Sequence, residues 1–511
     1  MLKQKRGLAY IFISLFVLSG CVYIFRSNDI ETEAQDEIIE SPIKVHMKDG
    51  RTVLFRGGAT FSNLEITGNG TVYSLKSEFV ENVEKISREE VAAYEVFKSG
   101  VNAPATLFIS AAATAGAVFG SAALAVLIFG SCPTVYAATD STMVLESELF
   151  SNSIAPIIEK RDVTDLLVAP DVTGLLQLEI RNEALETHYI NHIELLEVSH
   201  KTGTSIYPDT DGKVYALKDF QAPVSAIDST GNDLLGVLSS SDSLEYSSNI
   251  ENSPLIDNVQ WDTIDLEFKV SDDIPKALVF NLRNSLFTTV LLYDYLIASQ
   301  GIESLDWIGK ELETVSGAVA MGDFSQSFMG LRVYQEVDGM FRPIDRIPNP
   351  GPIAPRKIAV ALEETVEDTI KIRLRFLSDS WRIDQIELAT FAEDPQVRYL
   401  PVDSVKGVDG ERSMEISNLL SQPDDNYVVT MPGNRFSVSF KTEVPDVGYT
   451  QSYLLAAQGY YTEWVREEWV QNKPEIQFAL NGDLIVQAQQ EWQRVKSEFE
   501  AQFFESKIPV R

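Results

Sequence analysis

Residues 99–139 carry no charged side chain, and their centre, 104–129, reads PATLFISAAATAGAVFGSAALAVLIF. A run of this kind must be withdrawn from water, into a protein core or into lipid. As a helix its 26 residues span about 39 Å, enough to cross a bilayer core of about 30 Å with some tilt. Ala112, Gly116 and Gly120 recur every fourth residue, which leaves one face bare and lets a second backbone approach closely. A buried hairpin or helix of a soluble core is the competing reading, because Ala and Gly contribute less transfer energy than Leu or Ile. Pro133 ends any helix. The following residues, 140–156, hold Asp140, Glu146 and Glu148 but no Lys or Arg, so that flank gives no positive-inside signal. The expectation is an apolar, membrane-associated segment over 99–139.

The chain begins MLKQKRGLAYIFISLFVLSGC. Lys3, Lys5 and Arg6 form a basic region ahead of an apolar stretch too short for a comfortable permanent span. Its end, Leu18-Ser19-Gly20-Cys21, resembles the lipobox of bacterial lipoproteins. The resemblance covers residues 1–21. It implies that residues 1–20 are a signal peptide, and that Cys21 is diacylated on its thiol, becomes the new amino terminus and anchors the chain in a membrane. Two or three acyl chains hold a protein where one does not. Val22 follows, rather than the Asp that often marks inner-membrane retention, so the outer membrane is the expected destination. An uncleaved anchor helix reaching Phe25 is the alternative. Residues 26–42 are polar and acidic, and with Cys21 they read as a lipidated tether over 21–42.

Charge narrows the partners. The chain has 42 Lys and Arg against 75 Asp and Glu, a net charge of −33. Such a charge disfavours nucleic acid, whose phosphates it repels, and bare anionic lipid, so no nucleic-acid partner is expected. The charge suits a solvated surface, or cationic and Ca²⁺-bridged partners. With only two cysteines, lipidation of Cys21 leaves Cys132 without a disulfide partner. Cys132, between an apolar run and a proline, reads as buried packing rather than a nucleophile.

The rest of the chain is strand-rich. Residues 43–98 read as a small β domain, with strands at 43–47 and 52–55 about the Asp49-Gly50 turn, and at 64–66 and 71–75 about a second tight turn, Gly68-Asn69-Gly70. This pattern is similar to small SH3-like or Sm-like barrels. Residues 91–97 read as a strand, or, through a Ser87–Glu90 capping box, as a helix over 88–97. Residues 140–340 read as a β-rich domain with a helical insert. Its strands are placed at 175–181, 188–200, 262–270, 277–282 and 326–335, and its helices at 286–298 and 305–315. The doubled Leu195-Leu196 implies a bulge or burial on both faces. Residues 341–356 (FRPIDRIPNPGPIAPR) are a Pro-rich connection. Beyond it, 357–482 reads as sandwich-like, with strands at 357–362, 369–376, 381–391, 427–431, 435–441 and 475–480. An amphipathic helix closes the chain within 483–511, with Trp492, Val495, Phe499 and Phe503 on one face. The fold class is therefore mainly β: a small barrel-like domain, an apolar helical segment, then sandwich or jelly-roll domains with a few helices.

This order of segments resembles an uncharacterised family of exported bacterial β-rich proteins. The likeness is carried by Ser131-Cys132-Pro133-Thr134-Val135-Tyr136, by 146–156, by the strand near 190–198, by 381–388 and by Gly459-Tyr460-Tyr461. It implies a shared architecture and no chemistry.

Candidate chemistry is sparse. His188 and His192 stand four apart, a zinc spacing on a helix, but their context is a strand and they read as exposed positions of a ladder. Asp209-Thr210-Asp211-Gly212 is similar to the start of a Ca²⁺ loop, after which Lys213 and Val214 break the EF-hand pattern. Asp209 and Asp211 are therefore the candidate Ca²⁺ ligands, with an ordinary Asx turn as the alternative. Asp228 and Asp233 mark a similar turn. Trp261, Trp307, Trp381, Trp464 and Trp469, with Tyr460 and Tyr461, are candidates for a glycan platform, though strand aromatics pack more often in cores. GxSxG, Walker and dinucleotide motifs are absent from the sequence. The expected role is non-catalytic binding or scaffolding in the cell envelope, toward a protein or glycan partner. The alternatives are an enzyme acting on envelope glycans and a bitopic inner-membrane protein.

Overall fold

The computed structural model describes residues 23–26, 37–40, 43–47, 49–74, 79–96, 132–138, 142–184, 186–272, 274–298, 315–364, 368–407, 410–463, 480–503, 507, 508 and 510. The chain is mainly β, built from several antiparallel sheets with few helices. Cys21 and the signal segment, the apolar run 104–129, the strand expected at 475–480 up to residue 479, Trp307, Trp464 and Trp469 lie outside the described residues, as does all but Val315 of the helix expected at 305–315. Among the described residues no helix is long and apolar enough to cross a membrane. Two compact units are present: residues 1–128 with 296–315 and 464–478, and residues 129–295 with 316–463 and 479–511.

The first unit holds an 8-stranded sheet. Its order is Tyr23–Arg26, Val91–Val96, Ile43–Met47, Thr52–Phe55, Glu65–Tyr73, Ala59–Phe61, Glu37–Ile39, with Phe79–Ser87 also paired to Glu65–Tyr73. This corrects the SH3-like or Sm-like expectation, because the path keeps two open ends and is no barrel. Strands at Tyr23–Arg26 and Glu37–Ile39 also replace parts of the anchor helix and tether expected there. Gly68-Asn69-Gly70 is not a turn: one strand, Glu65–Tyr73, runs through it. The glycines answer a packing need, since a Cβ on Gly70 would sit 2.8 Å from Phe55 Cε1 and 2.9 Å from Val53 Cγ1. The helix alternative over 88–97 also fails, because Ser87 makes no side-chain cap and Val91–Val96 is strand.

His46 lies in this sheet with Lys44, both almost wholly buried. Burial, and then the Lys44 charge, hold the imidazole well below its ordinary 6.5. The unfolded chain therefore takes up a proton near 6.5 that the folded unit refuses. Stability is complete above that pH and falls as pH drops below it, by up to about 1.4 kcal/mol per pH unit. Amide protection in Ile43–Met47, corrected for intrinsic exchange, should fall from pH 7 to 5.5 and hold level in His46→Gln. A flat wild-type profile would refute this.

The second unit stacks four sheets. Two of them form a sandwich. One runs Ser205–Pro208, Val214–Gln221, Trp381–Phe391, Lys276–Asn284, Arg356–Ala361; the other runs Ser225–Asp228, Val259–Lys269, Thr369–Leu377, Leu331–Val337, Met340–Ile347. The strand Thr369–Leu377 shows why: Ile370, Ile372, Leu374 and Phe376 point inward and are buried, while Lys371, Arg373 and Arg375 face outward. Period-two alternation of this kind suits a sheet with one wet face. The inner faces meet through Ile264, Leu266, Phe268, Leu278, Phe280 and Ile386, among others. Strands on both sides of the Pro-rich stretch 341–356 share these sheets, and Met340–Ile347 is itself strand.

The other two sheets run Met143–Glu148, Thr134–Ala138, Leu175–Arg181, Arg435–Lys441, Ser404–Lys406, and Lys160–Leu166, Tyr449–Glu463, Glu186–Lys201, Gln396–Pro401. Leu195 and Leu196 are both fully buried, so that strand is covered on both faces, and its bulge falls between Ile190 and His192. Residues 326–328, expected as strand, instead finish the helix Val315–Phe328. The helix expected from Leu286 onward is present, with Val290–Ile297 as a π-helix. The terminal helix is Gly482–Phe503, with Trp492 and Phe503 buried.

Candidate functional site

Two sites in the second unit gather polar side chains. The first is a buried chamber of about 30 Å³ lined by Cys132, Ser151, Asn284, Tyr293, Gly351 and Tyr461, among others. A water needs about 10–15 Å³ measured this way, so the chamber has room for a water or two and not for a sugar. Stretches far apart in the sequence converge on it. Cys132 Sγ lies 2.9 Å from Ser151 Oγ and 3.5 Å from a Glu148 oxygen. The other Glu148 oxygen accepts from Ile353 N at 2.6 Å and Ala354 N at 2.8 Å. Gly351 is fixed by the same carboxylate, because a Cβ there would meet Glu148 Oε2 at 2.7 Å. Tyr461 Oη donates to Ser151 O at 2.9 Å, and Tyr293 Oη is 3.2 Å from both Tyr461 Oη and Glu186 Oε1.

The chamber opposes nucleophilic chemistry. Burial first, then the Glu148 charge, push the Cys132 thiol well up, and the thiol rather than the thiolate is unreactive. Iodoacetamide at pH 8 should therefore leave Cys132 unmodified in the native protein and label it fully in denaturant. Peptide mass spectrometry reads the difference, and rapid native labelling would contradict the assignment. His188, expected on an exposed ladder, is buried, with Nε2 at 3.1 Å from Glu186 Oε2. His192 is mostly buried and its Nδ1 lies 2.8 Å from Leu420 O. The two do not converge as ligands. Asp209 Oδ1 accepts from Asp211 N and Lys213 N, both at 2.9 Å, and its Oδ2 accepts from Tyr215 Oη at 3.0 Å. That is an Asx turn, and Asp211 lies 3.5 Å from Lys160 Nζ. Among the described residues no three His, Cys, Asp or Glu side chains come together as a metal-binding group.

The second site is a cleft of about 520 Å³ on the outer face of the sandwich sheet that contains Val259–Lys269. That is within the range of small-molecule sites, roughly 300–1,000 Å³. Its floor is Trp261, which is 6% exposed and stacks on Phe328 with ring centroids 6.3 Å apart. The guanidiniums of Arg375 and Arg332 lie 4.4 and 5.2 Å from the Trp261 ring centroid. Both belong to outward positions of alternating strands, and register places Arg332 directly beside Arg375. Like charges in that relation repel; the indole face offsets part of this by cation–π attraction. One nitrogen of Arg332 donates to Gln326 O at 2.7 Å and also to Ser327 O, closing the C-terminus of the helix Val315–Phe328. Arg375 Nε is buried without a hydrogen-bond partner. Among the described residues neither arginine has a carboxylate partner, although the chain carries 75 acidic residues.

The rim is built differently. Asp257 and Asn258 have φ of 51° and 65°, the left-handed pair of a two-residue hairpin turn between Leu255–Ile256 and Val259–Lys269. Across from it lie Asn481, Gly482 and Asp483, the start of the 22-residue terminal helix. Asn481 Oδ1 accepts from Asp483 N at 2.9 Å. Of the proposed glycan aromatics, Trp381, Tyr460 and Tyr461 are core residues and Trp261 is a floor under cations. Among the described residues, these four do not form an exposed aromatic platform. Arg332 and Arg375 were not singled out from the sequence, where an arginine at an outward strand position is unremarkable.

No family model matches the chain, and no curated protein matches it. Three solved structures show what it is faintly similar to. An allantoicase is 7% identical, with 50% of this chain and 90% of that chain covered, at a TM-score of 0.18. A GH31 alpha-xylosidase from Xanthomonas citri is 9% identical, with 84% and 33% covered, at 0.15. A structure of the Gx strain of infectious bursal disease virus is 8% identical, with 94% and 89% covered, at 0.14. At these scores none carries an argument about fold or activity.

Proposed function

We propose that this chain is a lipid-anchored protein of the bacterial cell envelope with a non-catalytic binding role, and that the Trp261 cleft is where it binds. The observation that carries the binding role is the cleft itself: adjacent guanidiniums without carboxylate partners among the described residues, in a chain of net charge −33. Half-buried cations held against an indole in that setting favour an anionic group from outside. The lipid anchor rests on Leu18-Ser19-Gly20-Cys21, with Cys21 acylated and the outer membrane as destination. Residues 104–129 supply a second membrane contact in this reading.

Two measurements test it. Acyl labelling with fractionation should show lipid on the wild type and none on Cys21→Ser; an unclipped Met1 on the mature chain would remove the anchor. Binding of the detergent-solubilised full chain to purified envelope polysaccharide should be salt-sensitive and weakened about tenfold in Arg375→Gln, as expected for losing charge-assisted hydrogen bonds. Equal binding by the variant would end the assignment of the cleft. Turnover of that polysaccharide, abolished by single carboxylate changes, would replace binding with catalysis.

A further inference from the structure

The chemistry around the cleft goes further than a preference for anions. We infer that the ligand is a carboxylated sugar, a hexuronate unit of an acidic polysaccharide, with its carboxylate on Arg332 and Arg375 and its hydroxyls on Asp257, Asn481 and Asp483. This rests on the cleft being the binding site.

The arginines sit deep and the acids sit high. Arg332 and Arg375 are half-buried against Trp261, whereas Asp257, Asn481 and Asp483 are exposed. A guanidinium fork takes a carboxylate through two parallel N–H···O bonds, and two guanidiniums over one indole offer more than one set of such donors. Arg332 keeps free donors after capping the helix carbonyls, because a guanidinium carries five N–H groups. The rim carboxylates are acceptors only, and sugar hydroxyls are donors they can take. The same carboxylates repel a second negative charge near the mouth, so a phosphate dianion, whose charges share one small group, is penalised more than a uronate chain, whose carboxylates are spaced a sugar ring apart. The amino-terminal end of the helix Gly482–Phe503 adds partial positive charge, which Asp483 in its first turn offsets. Ile256 lines the cleft and is 41% exposed, an apolar contact suited to the C–H face of a pyranose. A volume of about 520 Å³ is generous for a bare ion and suits one or two sugar rings.

The experiment titrates the detergent-solubilised full chain with oligogalacturonate, with the neutral galactose oligomer of equal length, and with inorganic phosphate. Oligogalacturonate should bind at least about tenfold more tightly than either, the gain expected from a charge-assisted pair of hydrogen bonds. Arg375→Gln should remove that preference. Because Arg375 also packs on Trp261, a second variant guards against simple misfolding: Asp257→Asn with Asp483→Asn, which weakens the hydroxyl acceptors and removes the rim charge, should lower uronate affinity a few-fold while raising phosphate affinity several-fold. Neutral oligomer binding as tightly as uronate, phosphate binding more tightly than uronate, or unchanged phosphate affinity in the double aspartate variant would each overturn the ligand class. Any of these with binding still lost in Arg375→Gln leaves the cleft a binding site. Binding of every probe indifferent to Arg375→Gln instead defeats the site itself.

Discussion

Arg356→Met is expected to destabilise the larger unit by about 3–5 kcal/mol, the range seen when one partner of a buried ion pair is removed. The side chain is about 10% exposed and grips Asp162 with both terminal nitrogens, at 2.7 and 2.8 Å. It also donates to Glu148 O at 3.0 Å. Asp162 in turn accepts from Phe150 N at 2.9 Å, and Phe150 holds a φ of 39° that a bulky residue adopts only under constraint. Arg356 therefore ties the Pro-rich stretch to the corner that shapes the Cys132 chamber. Burial opposes its charge, and Asp162 more than restores it, leaving the guanidinium above its ordinary range. Methionine fills the space of the stem but leaves the Asp162 carboxylate desolvated and unanswered. Adding Asp162→Asn should recover a large part of the loss, since the amide oxygen still accepts from Phe150 N and the Asp162 charge is gone. Urea unfolding followed by hydrogen exchange of peptides from Trp381–Phe391 reads this unit, because the chain's six tryptophans are divided between the two units. A single variant within about 1 kcal/mol of wild type would mean that the pair is replaceable by packing alone.

Why the sequence disclosed some of this and not the rest follows from where each signal resides. Trp381–Phe391 and Arg435–Lys441 have the bounds expected of them, because one face is apolar and the other polar, and alternation is a local property. The strand Tyr449–Glu463 was not foreseen. Residues 453–461 of it, YLLAAQGYY, are buried on both faces or nearly so, so no alternation survives to be read. The helix Val315–Phe328 was missed because its Gly- and Ser-rich composition has weak helix propensity. Gly68 and Gly70 misled because a glycine pair reports either a turn or a close approach, and only the neighbouring Phe55 decides which. Both sites are long-range. Cys132, Ser151, Tyr293, Gly351 and Tyr461 are scattered along more than three hundred residues, and Arg332 meets Arg375 only through strand register. Trp261 was the one member of the cleft visible beforehand, as an aromatic, and its role as a support for cations is a property of the pairing.

The second large effect is expected from Trp492→Ala, at about 3–5 kcal/mol, the usual range for a fully buried aromatic. The argument begins at Asp379. The segment Ser378-Asp379-Ser380 joins Thr369–Leu377 to Trp381–Phe391, and those strands belong to opposite sheets of the sandwich. The chain turns there with Asp379 at a φ of 61°, a conformation Asp tolerates better than most residues. The carboxylate is 1% exposed and satisfied from four sides. Ser247 Oγ and Arg382 Nη1 donate to Oδ1 at 2.8 and 2.7 Å. Trp492 Nε1 and Lys496 Nζ approach Oδ2 at 2.7 and 2.8 Å. The terminal helix thus supplies half the ligation of the turn that closes the sandwich, and Arg382 reaches back to Glu500 of that helix at 2.8 Å. One turn earlier, Gln489 exchanges two hydrogen bonds with the backbone of Gln260, at 3.1 and 2.7 Å. Gln260 adjoins Trp261, so the helix that stabilises the turn also sets the wall of the cleft. Trp492→Phe separates the contributions in large part: it keeps a ring against Phe287 and Phe499 and removes the N–H with a share of the indole, for about 1–3 kcal/mol. Alanine should cost clearly more than phenylalanine in the same urea titration, and should weaken ligand binding at the cleft along with stability. If alanine and phenylalanine lose equally, the hydrogen bond to Asp379 rather than the buried ring holds the helix in place. If neither loses more than about 1 kcal/mol, the sandwich closes without the helix, and the wall of the cleft formed by Asn481, Gly482 and Asp483 is held by something else.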